Sequence, residues 1–334
     1  MIDVTVIGCG FMGVNHAQAI ADHPLLRLSS VVDIDKERAQ EVATNHGADA
    51  AMTDHTNALA DADAAVIATP ERFHAEQTED ALDHNVHVLV EKPITEETAN
   101  AEALAARTSE SDLVTGVSFI LRYDPAYAKA QTAARDGELG NLVSARVKRG
   151  IPMQESRRIG ERGHPLFYMN IHDIDAILAT TEQSVVEVVA FERRGTLEDI
   201  DVPDATQALL RFEDGLTSVV EGYGILPNDT PGMIDAAFEL YGTEGTANVE
   251  TPGNTVTVHT NQYDRPDTRH WPVVNDRMDG AVARQIDQFS KAIDGDESML
   301  ASVYDGYRTQ VIAESVLTSL TEGESVTPED PGPQ

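Results

Sequence analysis

The first third of the chain alternates short, mostly apolar runs with longer stretches whose apolar residues recur at helical spacing. Residues 4–7, 28–32, 64–68 and 87–90 are mostly apolar, broken only by Thr5, Ser29, Ser30 and His87, as strands buried on both faces require. Between them, 12–22, 36–45, 55–60 and 72–84 read as helices, with Gly47 as a stop and a short strand at 49–52. Residues 95–111 predict a long helix with Thr95 as N-cap and Glu96 and Glu97 in its first turn, followed by a sixth strand at 113–119. Alternation of this kind predicts an α/β domain over residues 1–121, a doubly wound parallel sheet with crossover helices.

Past Pro125 the period changes. A helix over 126–136, stopped by Gly137, leads into alternating segments at 143–148, 185–191, 206–212, 217–223, 236–241, 246–249 and 255–260. A single helical stretch, 167–179, lies between the first two of these. Residues 122–326 therefore predict an α+β domain with a large, mainly antiparallel sheet. Helices on one face leave the other to be covered, so a homo-oligomer, dimer or tetramer, is expected through this sheet. Residues 281–293 and 302–320 predict closing helices, and the tail 327–334, with three prolines, is expected to be disordered.

One turn carries chemistry. Gly8, Cys9, Gly10, Phe11, Met12 and Gly13 follow the first strand and open the first helix, and Asp33 ends the second strand twenty positions past Gly13. Strand, Gly-x-Gly-x-x-Gly, helix, strand and terminal acid form the dinucleotide-binding fingerprint of a Rossmann domain. Gly8 permits the tight turn, Gly10 admits the pyrophosphate to the backbone, and Gly13 lets helix and strand pack closely. The pyrophosphate then meets free N–H groups at the positive end of the helix, with Phe11 and Met12 among them. Asp33 accepts hydrogen bonds from ribose hydroxyls and repels a 2′-phosphate, which favours NAD over NADP. Ligands of such sheets bind outside the carboxyl ends of the strands, where Thr69 and Pro70, Glu91 and Lys92, and residues 119–123 also fall.

Composition narrows the setting. The chain has 334 residues, 41% of them apolar, enough for two ordinary globular cores. No signal segment precedes the strand at Ile2 and no apolar run reaches membrane-spanning length, so a cytoplasmic location is expected. Cys9 is the only cysteine, which excludes an internal disulfide and a multi-cysteine metal site. No metal-spaced cluster stands out among the eleven histidines. Acids number 57 against 24 bases, a net charge of −33, spread over both halves. Such an excess reads as the solvated surface of a halophilic protein and argues against nucleic acid or anionic membranes as partners.

Several local motifs act together. Ala68-Thr69-Pro70 with His74, Glu91-Lys92-Pro93, Arg122-Tyr123-Asp124-Pro125, Gly137-Glu138-Leu139-Gly140, Ile171-His172-Asp173-Ile174-Asp175 and Tyr241-Gly242-Thr243-Glu244-Gly245 join the glycine turn. Over nearly its whole length the chain resembles the glucose–fructose oxidoreductase/inositol dehydrogenase/MocA (Gfo/Idh/MocA) family. The resemblance implies an enzyme that moves a hydride between a hydroxyl carbon of a sugar, cyclitol or nucleotide sugar and NAD or NADP. It also implies a second domain that supplies the substrate floor and the oligomer contacts. Alternatives within the same resemblance are a reductase of a dihydrodiol or unsaturated substrate, and a sugar sensor that holds NAD without turnover.

Alcohol oxidation needs a base near neutrality and a cation or donor to stabilise charge on oxygen. Lys92, at a strand end, fits the cation, and His172 fits the base. The family places an aspartate one helical turn before this histidine, whereas Tyr168 stands here and is read as a substrate contact, with Asp173 or Asp175 left to compensate. By resemblance His74 contacts the cofactor near the nicotinamide ribose, and Arg122 and Tyr123 line the substrate side. Lys148, Arg149, Arg157, Arg158 and Arg162 fall within fifteen residues. Arg157 and Arg158 are expected either to meet an anionic group of the substrate or to join an ion-pair network with the abundant acids.

Overall fold

The structure is a computed structural model that describes residues 1–160, 163–253, 256–259 and 263–334. The first elements run β1 (Ile2–Ile7), α1 (Phe11–Asp22), β2 (Leu26–Val32), α2 (Lys36–His46), β3 (Ala50–Met52), α3 (His55–Leu59), β4 (Ala64–Ile67), α4 (His74–Asp83), β5 (His87–Val90), α5 (Thr98–Ser109) and β6 (Thr115–Val117). There follow α6 (Pro125–Arg135), β7 (Leu142–Pro152), α7 (Met153–Gly160), α8 (Ile171–Thr181), β8 (Val185–Arg193), β9 (Ala205–Phe212), β10 (Thr217–Leu226), β11 (Asp235–Gly242) and β12 (Thr246–Thr251). Two two-stranded sheets, β13 (Val258–His259) with β14 (Tyr263–Asp264) and β15 (Val273–Val274) with β16 (Arg277–Met278), precede α9 (Gly280–Ile293) and α10 (Val303–Glu322).

The chain divides into two units. Met1–Asp124 and Arg269–Tyr307 form the first, and Pro125–Thr268 and Arg308–Gln334 the second. This corrects the expected boundaries at 121 and 326: the chain returns to its first unit after the second sheet. The return is driven by burial, since Ala281, Val282, Ile286 and Phe289 on one face of α9 join the core formed by Val4, Val6, Ala17, Ile20 and Val31.

The first unit contains a six-stranded parallel sheet in the order β3-β2-β1-β4-β5-β6, which reverses direction of growth between β1 and β4. Every residue of β4 is buried, as its unbroken apolar run requires. Local chemistry sets the helix ends. Asp35 accepts hydrogen bonds from the amides of Glu37 and Arg38 to cap α2, and Gly47, in the left-handed region at φ 72°, stops it. Two sequence expectations shift here. Thr95 does not cap α5, which begins at Thr98; its hydroxyl donates instead to the Glu97 carbonyl at 2.7 Å in the preceding turn. The sixth strand is confined to Thr115–Val117.

The second unit carries a six-stranded sheet ordered β12-β11-β7-β10-β9-β8, antiparallel except where β10 runs parallel to β7. One face, with Val147, Arg149, Leu210, Phe212, Phe238 and Leu240, is buried. The other bears ion pairs, Arg146 with Glu221 and Glu239, Lys148 with Asp235, Arg211 with Glu187, beside exposed Phe191, Leu209 and Tyr241. Where one helix was expected between the first two strands, there are two. The additional helix, α7, is polar and basic, and only Ser156 on it is buried. The other, α8, starts at Ile171, because the preceding residues form a 3-10 turn over Pro165–Phe167. The expected strand at 255–260 is reduced to Val258–His259, with 254, 255 and 260–262 outside the described residues. The tail expected to be disordered is anchored: Asp330 forms a buried pair with Arg308 at 2.8 Å and accepts from the Val185 amide at 2.7 Å.

Candidate functional site

At the start of α1 the three glycines of the turn answer to different constraints. Gly8 has φ +100°, and a Cβ there would lie 2.6 Å from the Ala68 carbonyl oxygen at the end of β4. At Gly13 a Cβ would lie 1.8 Å from the Gly8 oxygen, so helix and strand approach too closely for any side chain. At Gly10 a Cβ would meet nothing within 4 Å, so the space is open. Gly10 is the N-cap, no side chain caps the helix, and its first turn carries no acid. Its leading amides are thus presented to an anion.

Asp33 stands beside this turn. Its Oδ2 accepts from the Cys9 amide and its Oδ1 from the Asp35 amide, both at 2.9 Å, which holds the carboxylate at the end of β2. Ile34, next to it, is 96% exposed, an apolar surface beside the acid. The arrangement fits an adenine dinucleotide: open space over bare amides for the pyrophosphate, a fixed carboxylate for the ribose, and an apolar flank for the base. Cys9 itself is buried, and burial, reinforced by Asp33, pushes its thiol pKa up to about 12, so it is an inert packing residue.

Farther along the sheet, Thr69 and Pro70 follow β4, and Glu91 and Lys92 follow β5. The Thr69 hydroxyl donates to Gln77 Oε1 at 2.6 Å. His74 is buried with Nε2 2.8 Å from the Thr69 carbonyl and Nδ1 2.9 Å from the Pro93 carbonyl. Burial holds its pKa below the ordinary histidine value, against the pull of those carbonyls and of Glu91 and Glu71. A neutral imidazole has a single N–H, so His74 donates to one of these two carbonyls and packs against the other, bridging the two strand-end loops.

Glu91 is buried too. Its Oε1 lies 3.0 Å from His16 Nε2 and its Oε2 accepts from the Lys92 amide at 3.2 Å. Burial alone would raise its pKa, but His16, Lys92 and Ser118 outweigh it and hold the carboxyl below its usual range. An ionised Glu91 thereby ties α1 to the loop that carries half-buried Lys92. His16 escaped the sequence reading; the signal was its place on α1 one turn past Gly13, on the face that meets the sheet.

Arg122 and Tyr123, expected to line the substrate side, are built into the first unit instead. Arg122 pairs with Asp305 at 3.2 Å and donates to the Leu300 carbonyl, and the Tyr123 hydroxyl donates to Gln288 Oε1 at 2.7 Å. Both side chains are largely buried within the first unit.

In the second unit, half-buried His172 lies in the first turn of α8, and half-buried Tyr168 precedes the helix. The two do not share a helical face as their spacing suggested. Asp173 does not stand in for an acid beside His172. It is buried in a two-pronged pair with Arg149, at 2.9 and 2.8 Å, and accepts from Asn170 Nδ2 at 3.2 Å. Burial disfavours the guanidinium charge, but Asp173 outweighs it and raises the Arg149 pKa. The pair fastens α8 to β7. Asn170 adds a 3.0 Å bond to the Glu221 carbonyl of β10. The basic cluster is occupied by acids of the same unit: Arg157 with Asp199 at 2.6 Å, Arg158 with Glu155 at 2.8 Å and Lys148 with Asp235 at 2.9 Å. Of the two expectations for Arg157 and Arg158, the ion-pair network is the one observed; Arg162 lies outside the described residues.

Comparison with known proteins agrees with this geometry. Residues 2–119 match the model of an oxidoreductase family with an NAD-binding Rossmann fold, and residues 127–248 match the GFO/IDH/MocA C-terminal domain. An uncharacterized oxidoreductase of Bacillus subtilis (strain 168), YrbE, is 28% identical over 95% of this chain and 94% of its own. Inositol 2-dehydrogenase of Rhizobium meliloti (strain 1021) is 25% identical over 95% of this chain and 96% of its own. Among solved structures, scyllo-inositol dehydrogenase from Lactobacillus casei with bound NAD(H) and scyllo-inositol superposes with a TM-score of 0.85 at 21% identity, covering 98% of this chain and 99% of that one, which shows the shared fold. With both parts of the chain matched and an NAD cradle at the end of its parallel sheet, the protein belongs to the GFO/IDH/MocA oxidoreductase family.

Proposed function

We propose that the chain is an NAD-dependent dehydrogenase of a cyclitol or sugar hydroxyl. The observation that carries this reading is the carboxyl end of the parallel sheet, where the fixed Asp33 and the open amides of α1 are followed by Lys92 on a loop anchored through Glu91. The relatives named inositol 2-dehydrogenases support the substrate class. NAD, when bound, supplies the hydride acceptor. The Lys92 ammonium stabilises negative charge on the substrate oxygen, His172 takes the hydroxyl proton, and Tyr168 donates a hydrogen bond to a second oxygen. Loss of hydride and proton turns the carbinol into a ketone.

The test is NAD reduction in molar KCl against a panel of inositols and sugars. Lys92→Met should lower kcat by about 1,000-fold and leave NADH affinity unchanged. His172→Asn should lower kcat about 100-fold or more and remove the acidic limb of its pH profile. NADH uptake without turnover of any member of the panel would refute the dehydrogenase reading in favour of a sensor. The exposed apolar residues on the open face of the second sheet support a homo-oligomer, which light scattering in the same buffer tests; a monomer refutes it. A cytoplasmic location is proposed alongside, since no helix among the described residues is long and apolar enough to cross a membrane.

A further inference from the structure

We infer that Trp271, brought back to the first unit from late in the chain, is a wall of the dinucleotide site beside the glycine turn. Phe11 is the first residue of α1, in the stretch whose amides face the pyrophosphate, and the residue is 65% exposed. Trp271 meets it edge to face, centroids 5.3 Å apart and planes at 86°. It is the single tryptophan of the chain, and its other side packs on the core under α1.

The segment that delivers it is held at several points. Arg269 pairs with buried Asp124 at 2.6 Å, and the Ala281 and Val282 amides donate to the Arg269 and His270 carbonyls at 2.8 and 2.9 Å. The hairpin that follows Trp271 is tied to α1 through the Met278 amide, which donates to Asp22 Oδ2 at 2.7 Å. A half-buried indole is thus fixed against exposed Phe11 at the start of the bare helix amides. An apolar wall there excludes water from one side of the pyrophosphate and strengthens its hydrogen bonds.

The inference rests on the NAD reading of the glycine turn. Calorimetry in molar KCl with NADH and with ADP-ribose tests it on the wild type, Trp271→Phe and Trp271→Ala. Trp271→Ala should weaken both ligands about three- to tenfold, and Trp271→Phe less than about twofold. Wild-type tryptophan emission should change on saturation with NAD+, which does not absorb in that range, so that the change reports contact. Melting curves establish that each variant is folded, and Trp271→Phe keeps the wall if the alanine variant is not. Affinities indifferent to Trp271→Ala in folded protein, a loss confined to NADH, or emission unmoved by NAD+ would each overturn the inference. Wild-type protein that takes up no NADH overturns it together with the NAD reading, whereas uptake indifferent to Trp271 overturns this inference alone.

Discussion

Gly10→Ala should separate ligand approach from folding at the turn before α1. Gly10 has φ −76° and ψ −169°, extended backbone that alanine adopts, and an added Cβ meets no atom within 4 Å. Alanine is a poorer N-cap than glycine by about 0.5–1 kcal/mol. Its stiffer unfolded chain returns about 0.4–1 kcal/mol, so the two nearly cancel. Tm should therefore stay within about 3 °C of wild type. The methyl nevertheless fills the space through which the pyrophosphate reaches the helix amides. Loss of one charge-assisted hydrogen bond, about 1.5–3 kcal/mol, raises the Kd for NADH about 10- to 100-fold. Gly13→Ala is the contrast, because its Cβ would lie 1.8 Å from the Gly8 oxygen, a backbone atom that no rotamer change can move. Opening the turn to relieve that contact should cost about 3 kcal/mol or more and lower Tm in the absence of any ligand. Thermal melts and NADH calorimetry in molar KCl measure both quantities. A Gly10→Ala protein that binds NADH as wild type does, or one that melts many degrees lower, would refute the reasoning.

Asp33→Asn keeps an oxygen for the Cys9 amide but removes the charge, so the preference for NAD over NADP, measured as a ratio of Kd values, should fall about tenfold or more. Arg157→Ala and Arg158→Ala remove exposed pairs with Asp199 and Glu155, and kcat/KM for neutral and anionic sugars should be unchanged; a loss confined to the anionic sugars would restore them to the substrate site. Burial holds the pKa of His74, His164 and His87 below the ordinary histidine value, so the unfolded chain binds more protons as acid is added. Stability is then complete above about pH 6.5 and is lost below it. Glu91 and Asp3, whose pKa values are lowered, add to the loss below about pH 4.5. Melts across this range at constant salt check the sign, and a Tm that rises on acidification contradicts it. With a net charge of −33, transfer from 0.1 M to about 2 M KCl should raise Tm by about 10 °C or more, as screening removes self-repulsion. An unchanged Tm would remove the halophilic reading.

What could be read from the sequence was local or periodic. The mostly apolar runs of β1, β2, β4 and β5 announced a buried parallel sheet, because a strand covered on both faces is dominated by apolar residues. The spacing of Gly8, Gly10, Gly13 and Asp33 announced the dinucleotide cradle, because the turn that binds it is built within one strand–turn–helix–strand unit, although the Ala68 carbonyl that crowds Gly8 comes from farther along the chain. Acids and bases told less. The sequence left Arg157 and Arg158 open between an anion site and an ion-pair network, because a one-dimensional cluster does not show that Asp199, forty-two residues on, meets Arg157. Asp173 looked available beside His172 until Arg149 was seen on the strand beneath α8. Tyr168 and His172 seemed to share a face only while α8 was taken to start early. The sequence by itself determined the strand order's raw material and the cofactor turn, where the partners are near in the chain. Only the tertiary structure decided which charges are already neutralised, that His16 holds Glu91, and that α9 and Trp271 return to the first unit, since each depends on groups many residues apart whose meeting is a matter of packing.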